Sequence, residues 1–151
     1  MKKLLLLPLI VAFVGCAVMG EETVSQLPVS EKTVNINGTQ NELYVKANSW
    51  MVTAFSDAES VIQFTDKESG TVMGKYYLAP VSLSGYGAYG SYAIIKILVK
   101  DNAAKIEITP DKVTYMKGNT YNMYNEESAK QKIENVLTSF EEYMKNEKTD
   151  W

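Results

Sequence analysis

The chain has 151 residues and a formal net charge of −3, and all 15 of its basic residues are lysine; there is no Arg and no His. An acidic chain without Arg is poorly built for nucleic acid, where phosphate neutralisation supplies most of the affinity. Without His it also lacks the usual general base near neutral pH and the commonest transition-metal ligand. We therefore expect no nucleic-acid partner, no metal and no cofactor.

Met1, Lys2 and Lys3 form a short positive start. Residues 4–14 are apolar except for the interruption at Pro8. That is the size of a signal-peptide core and too short to span a bilayer, which takes about 20 apolar residues. The run closes on Phe13, Val14, Gly15 and Cys16, which resembles a lipobox, the site where bacterial lipoproteins are cut and acylated. Phe13 stands where Leu or Val is more usual. We expect residues 1–15 to be a signal peptide and Cys16 to carry lipid. The protein is then held at a membrane of the bacterial envelope, the outer membrane being favoured over the inner. Cleavage after Ala17 as an ordinary secretory signal, or an uncleaved anchor, are the competing readings. Cys16 is the only cysteine, so no intramolecular disulfide can form and the fold must rest on its core. Loss of Lys2 and Lys3 would move the net charge from −3 to −5.

Residues 16–30 mix small, polar and acidic types without a period and read as a lipidated cysteine followed by a flexible tether. Residues 31–147 read as one α+β domain, with residues 148–151 as a tail. Residues 33–37 alternate as a strand, with Val34 and Ile36 on one side. Thr39 and Glu42 then fit a capping box. Leu43, Ala47, Trp50, Met51, Ala54 and Phe55 make one apolar stripe of a helix over residues 40–56. Strands follow at 61–66, with Ile62 and Phe64 on one face, and at 71–81, where Gly74 suggests a bulge. Residues 82–90 read as a Gly- and Tyr-rich loop. In the strand at 91–100, Ala93, Ile95, Ile97 and Val99 fall on one face, with Tyr92, Ile94, Lys96 and Leu98 on the other. One dry face and one mixed face is the pattern of a sheet covered by helices on one side. A last strand spans 105–116, and its apolar phase slips from Ile106 and Ile108 to Val113 and Tyr115, predicting a kink near Pro110 and Asp111. A second amphipathic helix, residues 126–146, closes the chain on Ala129, Ile133, Val136, Leu137, Phe140 and Met144.

The order is β-α-β-β-β-β-α, most simply an antiparallel sheet with both helices on one face. Glu42, Leu43, Tyr44, Ala47 and Trp50, then Val61, Ile62, Gln63 and Asp66, then Gly74 and Lys75, and the strand pair over 92–105, resemble a bacterial envelope family described as a domain of unknown function with a TBP-like fold. The resemblance covers roughly residues 30–116. It implies that fold and that compartment, and it carries no activity or functional residue.

Candidate chemistry is sparse. Gly85, Gly87 and Gly90 match a dinucleotide-type glycine spacing, but a strand follows where a helix is needed to hold the pyrophosphate. Lys96 lies too close for a kinase-type lysine, and without His there is no kinase catalytic loop. Asp57, Glu59, Asp66 and Glu68 cluster around turns without a calcium-loop pattern and read as solvated turn residues. Tyr86, Tyr89 and Tyr92, with Tyr77 and Lys96, form the one candidate binding surface, because Tyr offers large contact area at low entropy cost. The expected function is a non-catalytic envelope module that binds protein or glycan. The alternatives are a hydrolase using carboxylates or lysine, as paired acids do in glycoside hydrolases, and a structural subunit of an envelope assembly.

Overall fold

The computed structural model describes residues 21–55, 62–83, 87–118 and 123–146. Cys16 and the signal segment, Asp57, Glu59, Tyr86 and the tail from residue 148 lie outside the described residues. The elements are β1 (Glu21–Ser25), β2 (Ser30–Asn35), α1 (Gln40–Ala54), β3 (Ile62–Asp66), β4 (Thr71–Leu83), β5 (Gly87–Lys100), β6 (Ala103–Pro110), β7 (Val113–Lys117) and α2 (Glu126–Lys145). Five strands form one antiparallel sheet in the order β2-β6-β5-β4-β3, and β1 pairs with β7 in a separate ribbon.

The dry face is the one the alternation foretold. Ala93, Ile95, Ile97 and Val99 of β5 join Ala104, Ile106 and Ile108 of β6 beneath the apolar stripes of both helices. Helix α1 starts where its cap dictates: the Glu42 amide donates to the Thr39 hydroxyl, and the Thr39 amide donates to the Glu42 carboxylate at 2.8 Å. These reciprocal bonds satisfy amides that the first helical turn leaves open. They also hold the Glu42 carboxyl below its ordinary pKa, the Thr39 backbone bond contributing most. Trp50 sits at the centre of the core, edge-on to Phe140 and Phe55, and its indole N–H donates to Ser139 Oγ at 3.2 Å.

Two turns lock the far end of the sheet. Asn102 adopts a left-handed φ of 63°, Asp101 Oδ1 accepts from the Gln40 amide at 2.7 Å, and the Asn102 amide donates to the Gly38 carbonyl. At Gly70, φ is +66° and a Cβ would stand 2.4 Å from the Val99 carbonyl oxygen, so only glycine fits.

Four expectations need correction. The tether is not free over its second half: Glu21–Ser25 is a paired strand, and Leu27 is buried in the core. Sequence periodicity missed β1 because its partner, Val113–Lys117, is far along the chain. The strand expected over 105–116 is two strands in two sheets, broken at residues 111–112, which is where its phase slipped. The loop expected over 82–90 is largely strand, since Gly87–Gly90 pair with residues 80–83 of β4. Finally, Ile62 and Phe64 do not share a face. Ile62 pairs with Gly74 and Phe64 with Met73, so Gln63 is the extra residue of a bulge. A one-residue slip reverses side-chain direction, and Phe64 is left exposed.

Candidate functional site

A second bulge shapes the surface opposite the helices. Tyr77 pairs with Tyr92 and Ala79 with Ser91, which makes Leu78 the extra residue in β4. Ser91 is buried, accepts from the Ala79 amide and donates to the Ala79 carbonyl at 2.9 Å, so one hydroxyl holds the irregular backbone. The bulge increases local twist just where the two tyrosines meet. Their rings stand edge to face with centroids 5.7 Å apart. Gly90 makes the seat: a Cβ there would meet the Tyr77 ring at 2.8 Å and the Tyr92 ring at 3.0 Å.

Two ammonium groups flank the pair. Lys75 Nζ lies 4.4 Å from the Tyr92 ring centroid, and Lys132 Nζ lies 4.9 Å from that of Tyr77. Lys132 belongs to α2. Among the described residues β3 pairs with β4 only as far as Gly74, so Tyr77 lies on β4 beyond the end of that pairing. The result is a continuous Lys75, Tyr92, Tyr77, Lys132 array. Neither lysine has a carboxylate partner among the described residues. Resting on a ring contributes about 0.5–1 kcal/mol at an exposed site, against about 1.5–3 kcal/mol for a hydrogen bond to a charged group. The rings hold these ammoniums only weakly and leave them, among the described residues, without a carboxylate to neutralise them.

Of the surface residues chosen from the sequence, Tyr77 and Tyr92 come together. Tyr89 does not join them. It is three positions from Tyr92 on a regular stretch of β5, so it points to the other side, and its hydroxyl donates to the Thr114 carbonyl at 2.6 Å. Its role is to tie the β4–β5 hairpin to the ribbon. Lys96 shares the face with Tyr92, but one β5 position on that face, Ile94, separates the two; its cross-strand neighbours are Met73 and Glu107. Tyr86 lies outside the described residues. Lys75 and Lys132 were missed, since neither has a local pattern: one needs the β4–β5 register and the other the placement of α2.

A groove of about 1030 Å³ lies at the far end between β2, α1 and α2. Its walls include Asn35, Asn41, Glu42, Lys46, Asn102 and Tyr143. Much of its polar chemistry is committed to the fold: Glu42 to its cap, Asn102 to Gly38, and Lys46 to the Asn146 carbonyl at 2.6 Å. Asp66 is similarly used. Its Oδ1 accepts from the Glu68 amide, and its pKa is lowered chiefly by the Ser69 hydrogen bond. No metal-type cluster of His, Cys, Asp or Glu occurs among the described residues.

A family model described as a domain of unknown function (DUF4468) with TBP-like fold matches residues 31–111. The chain is similar to a solved DUF4468 family protein from Bacteroides ovatus at 17% identity, over 76% of this chain and 81% of that one, with a TM-score of 0.44. It is also similar to a TBP-like protein from Parabacteroides distasonis at 14% identity, over 74% and 90%, with a TM-score of 0.46. No curated protein matches the chain.

Proposed function

The chain belongs to this family of domains of unknown function with a TBP-like fold, and we propose that it serves as a lipid-anchored, non-catalytic recognition module of the bacterial envelope. The ligand chemistry that fits its surface best is an anionic saccharide. The observation that carries this reading is the Lys75, Tyr92, Tyr77, Lys132 array. Tyrosine rings offer an apolar face to the C–H surface of a sugar, and flanking ammoniums offer charge-assisted bonds to a carboxylate or phosphate. Lysine supplies these as a compact point charge rather than a planar fork, which suits a substituent whose orientation varies.

The non-catalytic part of the reading is supported by where the acids sit. Among the described residues the buried polar groups are Ser25, Thr71 and Ser91, with no carboxylate among them. A glycosidase-type pair needs two opposed carboxyl groups, one with a raised pKa, whereas hydrogen bonds hold the carboxyls of Glu42, Asp66, Glu126 and Glu141 below their ordinary range. The envelope part is supported by the signal-type start and Cys16.

The test is binding of the detergent-solubilised chain to a panel of acidic and neutral glycans of matched backbone. Acidic members are expected to bind, with affinity falling at least tenfold in Tyr77→Ala and in Lys75→Ala and unchanged in Tyr89→Phe. Equal retention of neutral glycans, or binding untouched by both array variants, would overturn the assignment. A protein captured on the same array without any glycan binding would replace the saccharide by a protein partner.

A further inference from the structure

We infer that the domain is held directly against its membrane, with the β1–β7 ribbon end next to the bilayer and the β5–β6 turn pointing away. This rests on lipid at Cys16. It follows from how early the chain becomes fixed. Glu21–Ser25 pairs residue for residue with Val113–Lys117, Glu21 opposite Lys117. Ser25 donates to Glu126 Oε2 at 2.8 Å, and Gln26 Nε2 donates to the Pro110 carbonyl at 3.0 Å. Leu27 then plugs into the core at 5% exposure. The leading segment is thus part of the body from Glu21 onward, and only residues 17–20 separate it from Cys16.

Five residue steps span at most about 18 Å even when fully extended. Glu21 therefore stays within that reach of the headgroups, and Lys117, its cross-strand neighbour, lies about 5 Å from it. A free tether over all of residues 17–30 would have allowed nearly three times as much. The opposite end is set by strand length. β6 runs from Ala103 to Pro110, beside the ribbon, and β5 ends at Lys100, which pairs with Ala103. Seven steps of about 3.3 Å put Lys100 roughly 23 Å from Pro110 along the sheet. Glu21 and Glu22 outnumber Lys117 at the near end, so it is not a basic patch for an anionic surface, and position comes from the short spacer rather than from adhesion. The consequence is functional: whatever the sheet surface binds must itself lie close to the membrane.

Cys16 is the only cysteine and its sulfur is blocked by lipid, so an introduced thiol is labelled alone. Bimane is attached at Lys117→Cys or Lys100→Cys, both exposed positions. The lipidated protein is placed in phosphatidylethanolamine–phosphatidylglycerol vesicles carrying a headgroup nitroxide. Quenching several-fold stronger at position 117 than at 100 is expected. A 15-residue Gly/Ser insertion before Glu21 should erase most of that difference. Equal quenching at the two positions, with acyl chains on Cys16 confirmed by mass spectrometry of the same sample, would overturn the orientation alone. An unacylated Cys16 would overturn the anchor and the orientation together.

Discussion

The two faces of the five-stranded sheet are made by the same strands and do opposite work. On β5 the odd positions Ala93, Ile95, Ile97 and Val99 vanish under the helices, while the even positions Tyr92, Ile94, Lys96 and Leu98 stay partly open. The covered face holds the fold: the large helix side chains packed over it, Trp50 and Phe140 among them, are almost fully enclosed. The open face carries rings and ammoniums whose removal should leave the fold standing. On the proposed function, stability and recognition are separable by parity along one strand.

The strongest way to break that separation is at Trp50. Trp50→Ala should cost about 3–5 kcal/mol, read as a shift in urea midpoint, because it opens a cavity and strands the Ser139 contact. A smaller loss would mean the covered face is not the stabilising one. Gly70→Ala comes next, at roughly 2–3 kcal/mol, from the left-handed φ and the clash with the Val99 carbonyl. On the open face, Tyr92→Ala should cost under about 1 kcal/mol, as a partly exposed ring outside the core, while abolishing ligand binding. Gly90→Ala sharpens the contrast further. Its φ is unstrained, so the added methyl acts only by pushing the Tyr77 and Tyr92 rings apart. Affinity should fall several-fold with little change in the urea midpoint.

The smallest expected effect is on pH. Glu141 bonds Lys145 and Lys32, which lower its pKa to about 2, Lys145 contributing most. A carboxyl depressed in the folded state stabilises at pH above its unfolded value, near 4.5, and that contribution is lost as pH falls toward about 2. Since the carboxylate lies at the surface, where solvent screens it, the effect on stability should be slight. Its carboxyl carbon should titrate near pH 2 by NMR and move upward in Lys32→Ala. A titration near 4.5 in the native chain would show the bridge to be absent in solution.

What was legible in the sequence was local. The capping box at Thr39 and Glu42 needs only four residues to declare itself, and the alternation over 92–99 only eight. Both helices and all five strands of the main sheet follow from such signals, and the family they resemble is the one the chain belongs to. What was hidden depends on partners distant in sequence. Glu21–Ser25 has no apolar alternation, and only Val113–Lys117 makes it a strand. Phe64 faces outward because of a bulge at Gln63, and although Gly74 opposite suggests a bulge, only the cross-strand register shows that β3 carries the extra residue. Half of the candidate array was missed for the same reason. Tyr77 and Tyr92 attract notice as aromatics, but Lys75 and Lys132 acquire meaning only after β4, β5 and α2 are assembled.

The most direct test of the account is a photo-crosslinking comparison in intact envelopes. A diazirine side chain is placed at Ile94 on the open face or at Glu134 on the solvent side of α2. The account predicts saccharide-bearing adducts from position 94, lost when Tyr77→Ala is added, and none from position 134. Adducts arising only from position 134, or from both positions alike, would contradict the claim that the open sheet face is the recognition surface.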